Sequence, residues 1–492
     1  MVSLDVAEAA RAAGGWVAAG DPLTPLDGAA IDSRAVRGGE LFFALAGSRT
    51  DGHRFVADAF ARGAAAAAVE SVERVRAAAP PDLEAGRAGR ALIEVGSTYS
   101  ALHAIAASVR RRAPRQLAAV TGSVGKTTTK ELLAAMLATR YRVARTPGNF
   151  NNLYGFPLAL LNIPDDTEWM VAELGMSSAG ELRELALLAR PDVALFTVVR
   201  AVHLQFFASL RDIAEAKAEL LAGLVPDGLV VANAGDPEVT RIALRHAAAT
   251  GGRVLWYGIG AATPGFRATP GAKLNGVWAR DVRPEPGGGA GSRFRIEAGG
   301  ASQEVRLPLH GLYNVENCLA AAACAYALGV PLADIAAAVL QARPAPRRGV
   351  VHRVERRGGA GGPFTLIDDS YNSNPDALRQ ALESAAKLPG ARRIAVLGDM
   401  LELGAEAPSF HREAGERAAR LGFAPVAGVG ELAGELAAGA RSAGAPAVWL
   451  AGAAEAAEWA DKEVRGGDLV LVKGSRGVGL EAVVARLLGE TG

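Results

Sequence analysis

The sequence predicts an α/β protein with three domains. Its 492 residues exceed the size of one ordinary hydrophobic core, since domains usually hold about 100–200 residues. Short apolar strands alternate with helical segments through most of the chain, which is typical of sheets with parallel strands. A Gly/Pro-rich stretch and a Pro-rich break interrupt this alternation. We therefore predict domains at residues 1–95, 96–341 and 342–492.

The composition excludes several classes of protein. Half of the residues are hydrophobic, and 53 Lys and Arg balance 52 Asp and Glu, so we expect no nucleic-acid partner. The first residues, MVSLDVAEAARAAGG, lack the basic region and apolar core of a secretory signal, and no apolar run reaches the roughly 20 residues that span a bilayer. We expect a cytoplasmic protein without a membrane span. Cys318 and Cys324 lie in an Ala-rich helical stretch and are predicted to be small buried hydrophobes.

Strand-like runs mark the first two domains. LFFAL and AAAAAVE are strand candidates before residue 96. Between about residues 115 and 260, five runs are each followed by a turn or helix, including a helix predicted from about Ser209 to Leu224, and this predicts one doubly wound domain. The runs are RQLAAVTG, EWMVAEL, DVALFTV, GLVVANA and RVLWYGI. The Gly/Pro-rich stretch 265–300 then predicts a few antiparallel strands, with EPGGGAGS as a hairpin loop.

A second α/β domain follows the segment QARPAPRRG at 341–349. Its prolines should stop the preceding helix, which places the domain boundary there. Beyond it, FTLIDDSYNSNP, RRIAVLGDML, APVAGVG and DLVLVKGSRG again give short apolar strands that end in polar or Gly-rich loops.

The segment TGSVGKTTT at 121–129 predicts a phosphate-binding loop, because it lies between an apolar strand and the helical run KELLAAML. Gly122 and Gly125 let backbone N–H groups turn toward phosphate oxygens, and the helix N-terminus adds partial positive charge. Lys126 would reach the β- and γ-phosphates and Thr127 would ligate Mg²⁺. Val120 replaces the first glycine of the broader G-x-x-x-x-G-K-[ST] pattern, so the loop is a shortened version. By itself it predicts nucleotide binding only.

Phosphoryl transfer also needs ligands for metal at the carboxyl ends of neighbouring strands. Glu173 ends EWMVAEL, and His203 follows DVALFTVV. Taken alone, such a carboxylate is usually solvated and a single histidine is usually structural. Lys217 lies fourteen residues after His203 in the helix SLRDIAEAKAELLAGL, where the pattern alone predicts a surface lysine.

Together these segments resemble the Mur ligase family over nearly the whole chain. The resemblance is carried by TGSVGKTTTK, GNFNNLYGFP, AELG, the spacing from His203 to Lys217, GLYNVEN, DDSYNSNP, LGDMLELG and VKGSRG. It implies a small UDP-binding N-terminal domain, a central doubly wound P-loop ATPase domain and a Rossmann-like C-terminal domain. The implied activity is ATP-dependent amide ligation through an acyl phosphate, in peptidoglycan precursor synthesis.

The resemblance also implies roles for single residues. Lys217 would be carbamylated by CO₂, which requires a neutral amine and hence a lowered pKa. The residues that would hold two Mg²⁺ ions are Thr127, Glu173, His203 and carbamylated Lys217. Those implied around ATP are Gly122, Ser123, Val124, Gly125, Lys126, Thr127, Thr128, Asn317, Arg348 and Asp369. Those implied around the substrates are Ser33, Arg34, Asp51, His53, Asn149, Asn152, Tyr371, Asn372, Asn374, Lys473, Ser475 and Arg476.

Within the family, the N-terminal segments DSR and DGHRF resemble the UDP-binding domain of the ligases that extend dipeptide and tripeptide precursors. DDSYNSNP and VKGSRG resemble the branch that adds D-alanyl-D-alanine to UDP-N-acetylmuramoyl (UDP-MurNAc) tripeptide, and the DNPR-type motif of the diaminopimelate- or lysine-adding branch is absent. We expect a monomer. The alternatives are that sibling ligase, a folylpolyglutamate synthase-like enzyme, or a nucleotide-binding scaffold without ligation.

Three positions depart from the family pattern. Tyr313 stands where histidine is usual, and Gln205 stands where an acid is common. Arg347 and Arg348 stand where a Gly-Arg pair is common, so either arginine could contact the nucleotide.

Overall fold

A computed structural model describes most of the chain. The described residues are 4–47, 50–78, 90–113, 115–202, 204–260, 276–285, 291–355 and 362–490. They divide into two compact units, the first comprising Met1–Val120, Tyr141–Ala194 and Glu219–Gly228, the second Thr121–Arg140, Leu195–Ala218 and Leu229–Gly492. The domain boundaries predicted after residues 95 and 341 stay predictions.

The N-terminal segment forms a small sheet with helices. Its elements are β1 (Leu4–Asp5), α1 (Val6–Ala13), β2 (Trp16–Ala19), β3 (Pro25–Leu26), β4 (Ala29–Ala30), β5 (Leu41–Phe43), α2 (Val56–Ala61), β6 (Ala66–Val69), α3 (Val72–Ala78) and β7 (Ala91–Glu94). The strand order is β2-β7-β6-β5-β4, with β2 antiparallel to β7 and the others parallel. Phe42, Val69 and Leu92 share a buried cluster with Val56 and Phe60 of α2. LFFAL and AAAAAVE are therefore confirmed as strands.

A second sheet contains the five strands predicted for the central region. Its members are β8 (Gln116–Thr121), β9 (Val143–Arg145), β10 (Trp169–Glu173), β11 (Val193–Phe196), β12 (Leu229–Asn233), β13 (Arg253–Ile259), β14 (Gly276–Pro284), β15 (Ser292–Ala298) and β16 (Ala301–Leu307). Their order is β9-β10-β8-β11-β12-β13-β14-β15-β16. β9, β10 and β8 are parallel, as are β12, β13 and β14. The predicted antiparallel strands are β14, β15 and β16, although the tip of the predicted hairpin loop, 286–290, lies outside the described residues.

Helices accompany this sheet along the chain. They are α4 (Thr98–Arg112), α5 (Lys126–Leu137), α6 (Gly155–Leu161), α7 (Glu181–Ala189), α8 (Leu210–Ala218), α9 (Pro237–Thr250), α10 (Leu312–Ala327) and α11 (Leu332–Leu340). The helix predicted to Leu224 ends earlier, because its last part, Glu219–Gly223, is a 3₁₀ turn. In α10, Cys318 and Cys324 are fully buried as predicted, and burial raises the pKa of each thiol to about 12. None of the helices in the described ranges is both long and apolar enough to cross a membrane.

The C-terminal segment forms a third sheet with helices. Its elements are β17 (Val350–Val354), β18 (Phe364–Asp369), α12 (Pro375–Ala385), β19 (Arg393–Gly398), α13 (Ala407–Arg420), β20 (Phe423–Val429), α14 (Ala433–Ser442), β21 (Ala447–Leu450), α15 (Ala453–Glu463), β22 (Leu469–Lys473) and α16 (Glu481–Leu488). The order is β17-β18-β22-β19-β20-β21, in which only β17 pairs antiparallel.

The central strand β22 shows why its sequence is continuously apolar. Val470 and Val472 join one buried cluster with α15 and α16, while Leu469 and Leu471 join another with α12 and α13. Successive side chains of a strand point to opposite faces, so a strand covered by helices on both faces needs apolar residues at every position. The polar residues that follow such strands are thereby held at one edge of the sheet.

Candidate active site

The phosphate loop joins β8 to α5 through two glycines in left-handed backbone conformations. Gly122 has φ of 148° and Gly125 has φ of 87°. A Cβ atom on Gly122 would overlap Thr197 Oγ1, and one on Gly125 would overlap Asn317 Oδ1. Because only glycine combines these angles with such close approaches, both positions require it. The turn leads directly into the N-terminus of α5, where the helix dipole favours phosphate.

The loop is also held by residues after β11 that the sequence analysis did not single out. Thr197 Oγ1 donates a hydrogen bond of 2.7 Å to the carbonyl of Val124. Ser123 Oγ donates to the carbonyl of Arg200 at 3.0 Å and accepts from the N–H of Arg200 at 2.9 Å. These side chains could not be found from sequence alone, since the contact depends on β11 lying next to β8.

Two lysines define the electrostatics of this region. The ammonium of Lys126 donates to the carbonyls of Gly122 at 2.8 Å and Ser123 at 3.2 Å. Lys217, in α8, is only 2% exposed, which overturns the surface position that its pattern alone predicts. Burial, and then the positive charge of Lys126, hold the pKa of Lys217 well below its ordinary value. A neutral amine is the form that reacts with CO₂, and the lowered pKa of Lys217 favours that form.

The structure describes some of the predicted metal ligands but not all of them. Thr127 and Thr128 lie in the first turn of α5, with Thr127 buried. His203 lies outside the described residues. Within the described ranges, no group of three or more His, Cys, Asp and Glu side chains is gathered around one point. The hydroxyl of Thr127 and the carboxylate of Glu173 are nonetheless hard oxygen donors of the kind that Mg²⁺ prefers, so these two donor types fit this ion.

Glu173 ends β10, in register with Val120 of β8, and is 3% exposed. Its N–H donates to Thr146 Oγ1 at 3.0 Å, and its Oε1 accepts a hydrogen bond of 2.7 Å from Asn151 Nδ2. A carboxylate oriented by an amide donor has the outer support typical of a metal ligand. Asn151 was not among the predicted site residues.

The neighbouring asparagines shape the segment GNFNNLYGFP. The carbonyl of Asn149 accepts the N–H of Asn151 at 2.7 Å. Asn152 Oδ1 accepts from the N–H groups of Tyr154 at 3.2 Å and Gly155 at 2.8 Å, at the start of α6. Three asparagines within four positions cannot be ranked by sequence, because the backbone turn decides which one contacts Glu173.

Two residues predicted near UDP, Ser33 and Arg34, begin a 3₁₀ turn. Asp32 caps the turn, and its carboxylate accepts from Arg34 Nη2 at 2.6 Å. The hydrogen bonds from Arg34 are the main cause that lowers the pKa of Asp32. Ser33 is buried, whereas the guanidinium of Arg34 is 81% exposed and open to a ligand.

Two more N-terminal residues predicted to contact substrate, Asp51 and His53, belong to a second 3₁₀ turn. His53 is buried, with Nδ1 2.6 Å from Asp51 Oδ1 and Nε2 accepting from the N–H of Glu70 at 2.9 Å. The second bond requires a lone pair on Nε2, so the proton lies on Nδ1. Both ring nitrogens therefore serve the fold, and the predicted substrate contact of His53 stays a prediction.

Asp369 and Lys473 meet at the carboxyl ends of the adjacent strands β18 and β22. Lys473 Nζ lies 2.7 Å from Asp369 Oδ2 and 2.9 Å from the carbonyl of Asn372. Burial raises the pKa of Asp369, while Lys473 and, more weakly, Arg348 oppose the shift. Lys473 is 3% exposed, so this ion pair is a fixed part of the C-terminal sheet edge.

The structure distinguishes the two neighbouring arginines. The guanidinium carbon of Arg348 lies 4.1 Å from the ring centroid of Tyr371. The guanidinium carbon of Arg476 lies over the same ring, 5.8 Å from its centroid. Arg347 has φ of 61° and bonds Glu481 of α16 at 3.1 Å. Arg348 is thus the arginine grouped with predicted site residues.

The remaining C-terminal residues have structural bonds. Asn374 caps α12, its Oδ1 accepting from the N–H of Ala377 at 2.9 Å. Ser475 Oγ donates to the carbonyl of Ser373 at 3.3 Å and accepts from the N–H of Leu401 at 3.0 Å. The motifs DDSYNSNP, LGDMLELG and VKGSRG are therefore joined at Ser475.

Asn317 lies beside the phosphate loop. It is 8% exposed, donates to Asn314 Oδ1 at 3.2 Å and accepts from Thr129 Oγ1 at 3.5 Å. One turn earlier, burial raises the pKa of Tyr313. The structure shows Asn317 supporting the loop, and its predicted contact with adenine stays a prediction.

Comparison with known families decides the identity of the fold. The Mur ligase middle domain matches residues 120–325, the Mur ligase glutamate ligase domain matches 352–476, and the Mur ligase family catalytic domain matches 26–110. The chain belongs to the Mur ligase family. The predicted Mur ligase architecture of three α/β domains is confirmed by these matches and by the structural neighbours.

Three Mur ligases illustrate the similarity. The UDP-N-acetylmuramoyl-tripeptide–D-alanyl-D-alanine ligase of Mycobacterium tuberculosis is 35% identical over 531 residues, covering 100% of this chain and 98% of the relative. A crystal structure of MurF from Acinetobacter baumannii has a TM-score of 0.81 at 29% identity and covers 99% of both chains. MurF from Thermotoga maritima in complex with ADP has a TM-score of 0.74 at 27% identity, covering 94% of this chain and 97% of the other.

Proposed function

We propose that this Mur ligase joins D-alanyl-D-alanine to UDP-MurNAc-tripeptide, with ATP converted to ADP and phosphate, and so makes the pentapeptide precursor of peptidoglycan. The observation that carries the proposal is whole-length similarity, at 35% identity, to a ligase named for this reaction. The phosphate loop and the charged edge of the C-terminal sheet supply the chemistry that the reaction needs.

ATP occupies the phosphate loop in this proposal. Lys126 exchanges its bonds to loop carbonyls for the β- and γ-phosphates, while the N–H groups of the loop and of the first turn of α5 cradle the phosphate oxygens. The residues assigned to ATP are Gly122, Ser123, Val124, Gly125, Lys126, Thr127, Thr128, Asn317, Arg348 and Asp369. Arg348 is preferred over Arg347 because it stacks on Tyr371, whereas Arg347 bonds Glu481.

The ligands proposed for two Mg²⁺ ions are Thr127, Glu173, His203 and Lys217. Carbamylation of the Lys217 amine by CO₂ would form an N–C bond, release a proton and supply an anionic oxygen ligand. Bound Mg²⁺ neutralises charge on the phosphates. Asn151 keeps the carboxylate of Glu173 oriented toward this role through the bond at 2.7 Å.

The reaction has two steps. A carboxylate oxygen of the tripeptide attacks the γ-phosphorus, the bond to ADP breaks, and Lys126 stabilises the negative charge that develops. The free amine of D-alanyl-D-alanine then attacks the acyl carbon, loses a proton, and displaces inorganic phosphate. Water must be excluded, since an acyl phosphate hydrolyses readily.

Substrate contacts follow the charges of the site. Arg34, with its exposed guanidinium, is suited to a diphosphate. Arg476 is exposed and suits the dipeptide carboxylate better than Lys473, which Asp369 and Asn372 already engage. The other residues assigned to substrates are Ser33, Asp51, His53, Asn149, Asn152, Tyr371, Asn372, Asn374 and Ser475.

Three further properties belong to the proposal. The domains are 1–95, 96–341 and 342–492. The protein acts as a monomer, which sedimentation velocity would test. It works in the cytoplasm, where ATP and UDP-linked precursors are made.

The deciding experiment measures ADP release from ATP and Mg²⁺ with UDP-MurNAc-tripeptide, with and without D-alanyl-D-alanine, followed by mass analysis of the product. Dipeptide-dependent turnover to the pentapeptide supports the proposal, and Lys126→Met should abolish it. Turnover only with UDP-MurNAc-dipeptide and a diamino acid would assign the chain to the sibling ligase. ATP binding without acceptor-dependent turnover would favour a scaffold.

A further inference from the structure

Arg200 reaches two carboxylates that belong to different helices. Its Nη1 lies 2.6 Å from Asp236 Oδ2, at the start of α9, and its Nε lies 3.3 Å from Asp376 Oδ2, in the first turn of α12. Asp236 is 1% exposed and Asp376 is 17% exposed, while Arg200 is 32% exposed. A planar guanidinium can satisfy both acids at once, which an ammonium cannot do with the same geometry.

On one side, Arg200 is fixed to the phosphate loop. Its backbone N–H and carbonyl form the reciprocal pair with Ser123 Oγ, at 2.9 and 3.0 Å. Asp236 Oδ2 also accepts the N–H of Val199 at 2.9 Å, while its Oδ1 caps α9 through Val239. The position of the arginine therefore follows that of the loop.

On the other side, Asp376 connects Arg200 to the segment DDSYNSNP. Asp376 lies two residues after the capping residue Asn374, and its carboxylate also accepts from Arg379 at 2.6 Å and Gln380 at 2.8 Å. These bonds fix the carboxylate on α12. A rigid path thus runs from the phosphate loop through one ion pair to the residues that precede α12.

A third acid, Glu316 in α10, is influenced by the charge of Arg200. Burial is the main cause that raises the pKa of Glu316. The negative charges of Asp376 and Asp236 raise this pKa further, and the positive charge of Arg200 lowers it. Removing the arginine would leave Asp236 and Asp376 without the cation that they share, so a neutral residue at position 200 should loosen α12.

We propose that Arg200 is a positioning residue that holds α12 and DDSYNSNP in register with the phosphate loop, and so aligns the incoming dipeptide with the activated carboxyl group. The inference rests on the proposed ligase function. It adds a residue that touches neither nucleotide nor acceptor and acts through Asp376.

The test is a double-mutant cycle with Arg200→Gln, Asp376→Ala and the double variant, read as kcat, KM for ATP and KM for D-alanyl-D-alanine. Each single variant should lower kcat about tenfold or more, since small misplacements of reacting groups have effects of this size. KM for ATP should change less than about threefold, and the double variant should be no slower than the worse single variant. Arg200→Lys should recover part of the loss.

Two control variants separate the bridge from other effects. Arg379→Gln removes a second partner of Asp376 within α12 but keeps the bridge, and Arg412→Gln removes the exposed pair with Glu435. Both should keep kcat within about twofold of the parent. Full kcat in Asp376→Ala, or single effects that multiply in the double variant, would overturn the inference.

A readout without turnover keeps the two proposals distinguishable. The shifts in Tm of the single variants should not add in the double variant, because both remove the same bridge. Additive shifts would refute the bridge even if the parent ligated other substrates. A parent without dipeptide-dependent turnover would instead refute the proposed function. If Arg200→Gln does not fold, Asp376→Ala alone tests the bridge, because its kcat should still fall about tenfold and a kcat equal to that of the parent would overturn the inference.

Discussion

Replacing Gly125 by alanine should destabilise the protein through two separable effects. The residue has φ of 87°, and a left-handed conformation costs an alanine about 1 kcal/mol. The new Cβ would also overlap Asn317 Oδ1, so the buried amide of Asn317 must move away from Thr129 and Asn314. Those two bonds contribute about 1 kcal/mol each at most. Together the expected loss in the free energy of unfolding is about 2–3 kcal/mol.

Gly251 provides the matched control. It has φ of 70° at the end of α9, and a Cβ there meets no heavy atom within 4 Å. Gly251→Ala should therefore lose only the conformational part, about 1 kcal/mol. Denaturation in urea at one pH, followed by circular dichroism, gives both values.

A double variant tests whether Asn317 is the obstacle. Asn317→Ala removes the side chain that the Cβ of Gly125→Ala would meet, so the double variant should cost about 1–2 kcal/mol less than the sum of the single variants. Equal losses of unfolding free energy in Gly125→Ala and Gly251→Ala, or strict additivity in the double variant, would contradict the predicted overlap with Asn317. Either outcome would show that the loop can move without disturbing α10.

Three further predictions concern the charged groups. Lys217→Met should increase stability in urea at pH 7 in CO₂-free buffer, because the lowered pKa means that the folded parent binds this proton more weakly than the unfolded parent does. The gain should vanish as the pH approaches about 10.4, and a gain independent of pH would contradict the prediction. Arg348→Ala should lower kcat/KM for ATP about tenfold or more, whereas Arg347→Ala should change it less than about threefold. Equal effects of the two variants in steady-state kinetics would contradict the assignment of Arg348 to ATP. Asn151→Ala should raise the Mg²⁺ concentration for half-maximal ADP release about tenfold, because Glu173 loses its amide donor; an unchanged Mg²⁺ requirement would exclude that role.

The sequence allowed the phosphate loop to be predicted in detail because its chemistry is local. Gly122 and Gly125 are required by backbone angles and close approaches within a strand–turn–helix unit, and such units leave a readable pattern. The buried strands could likewise be recognised, since β22 is apolar on both faces. Periodicity did not predict the burial of Lys217, because an exposed and a buried lysine have the same helical spacing; only the family resemblance pointed to it.

The residues that were missed depend on contacts distant in sequence. Asn151 bonds Glu173 across 22 positions, and Arg200 pairs with Asp236 across 36 positions. Neither pairing has a local pattern, since Asn and Arg are common in loops and the choice among neighbours depends on the turn of the backbone. His53 is the opposite case. It was predicted to contact substrate because it lies in a motif, yet both of its ring nitrogens bond other residues of the fold.

The cations proposed to bind substrates differ in how readily they can exchange protein partners for substrate. Arg34 holds Asp32 at an exposed position, where ion pairs are weak, so a diphosphate can compete for its guanidinium. Lys473 is 3% exposed and bonds Asp369, and removing one member of a buried pair leaves the other charge uncompensated. A substrate carboxylate is therefore expected to bind the exposed Arg476 rather than Lys473. We therefore expect Lys473 to keep the edge of the C-terminal sheet in place and Arg476 to provide the charge that binds the dipeptide.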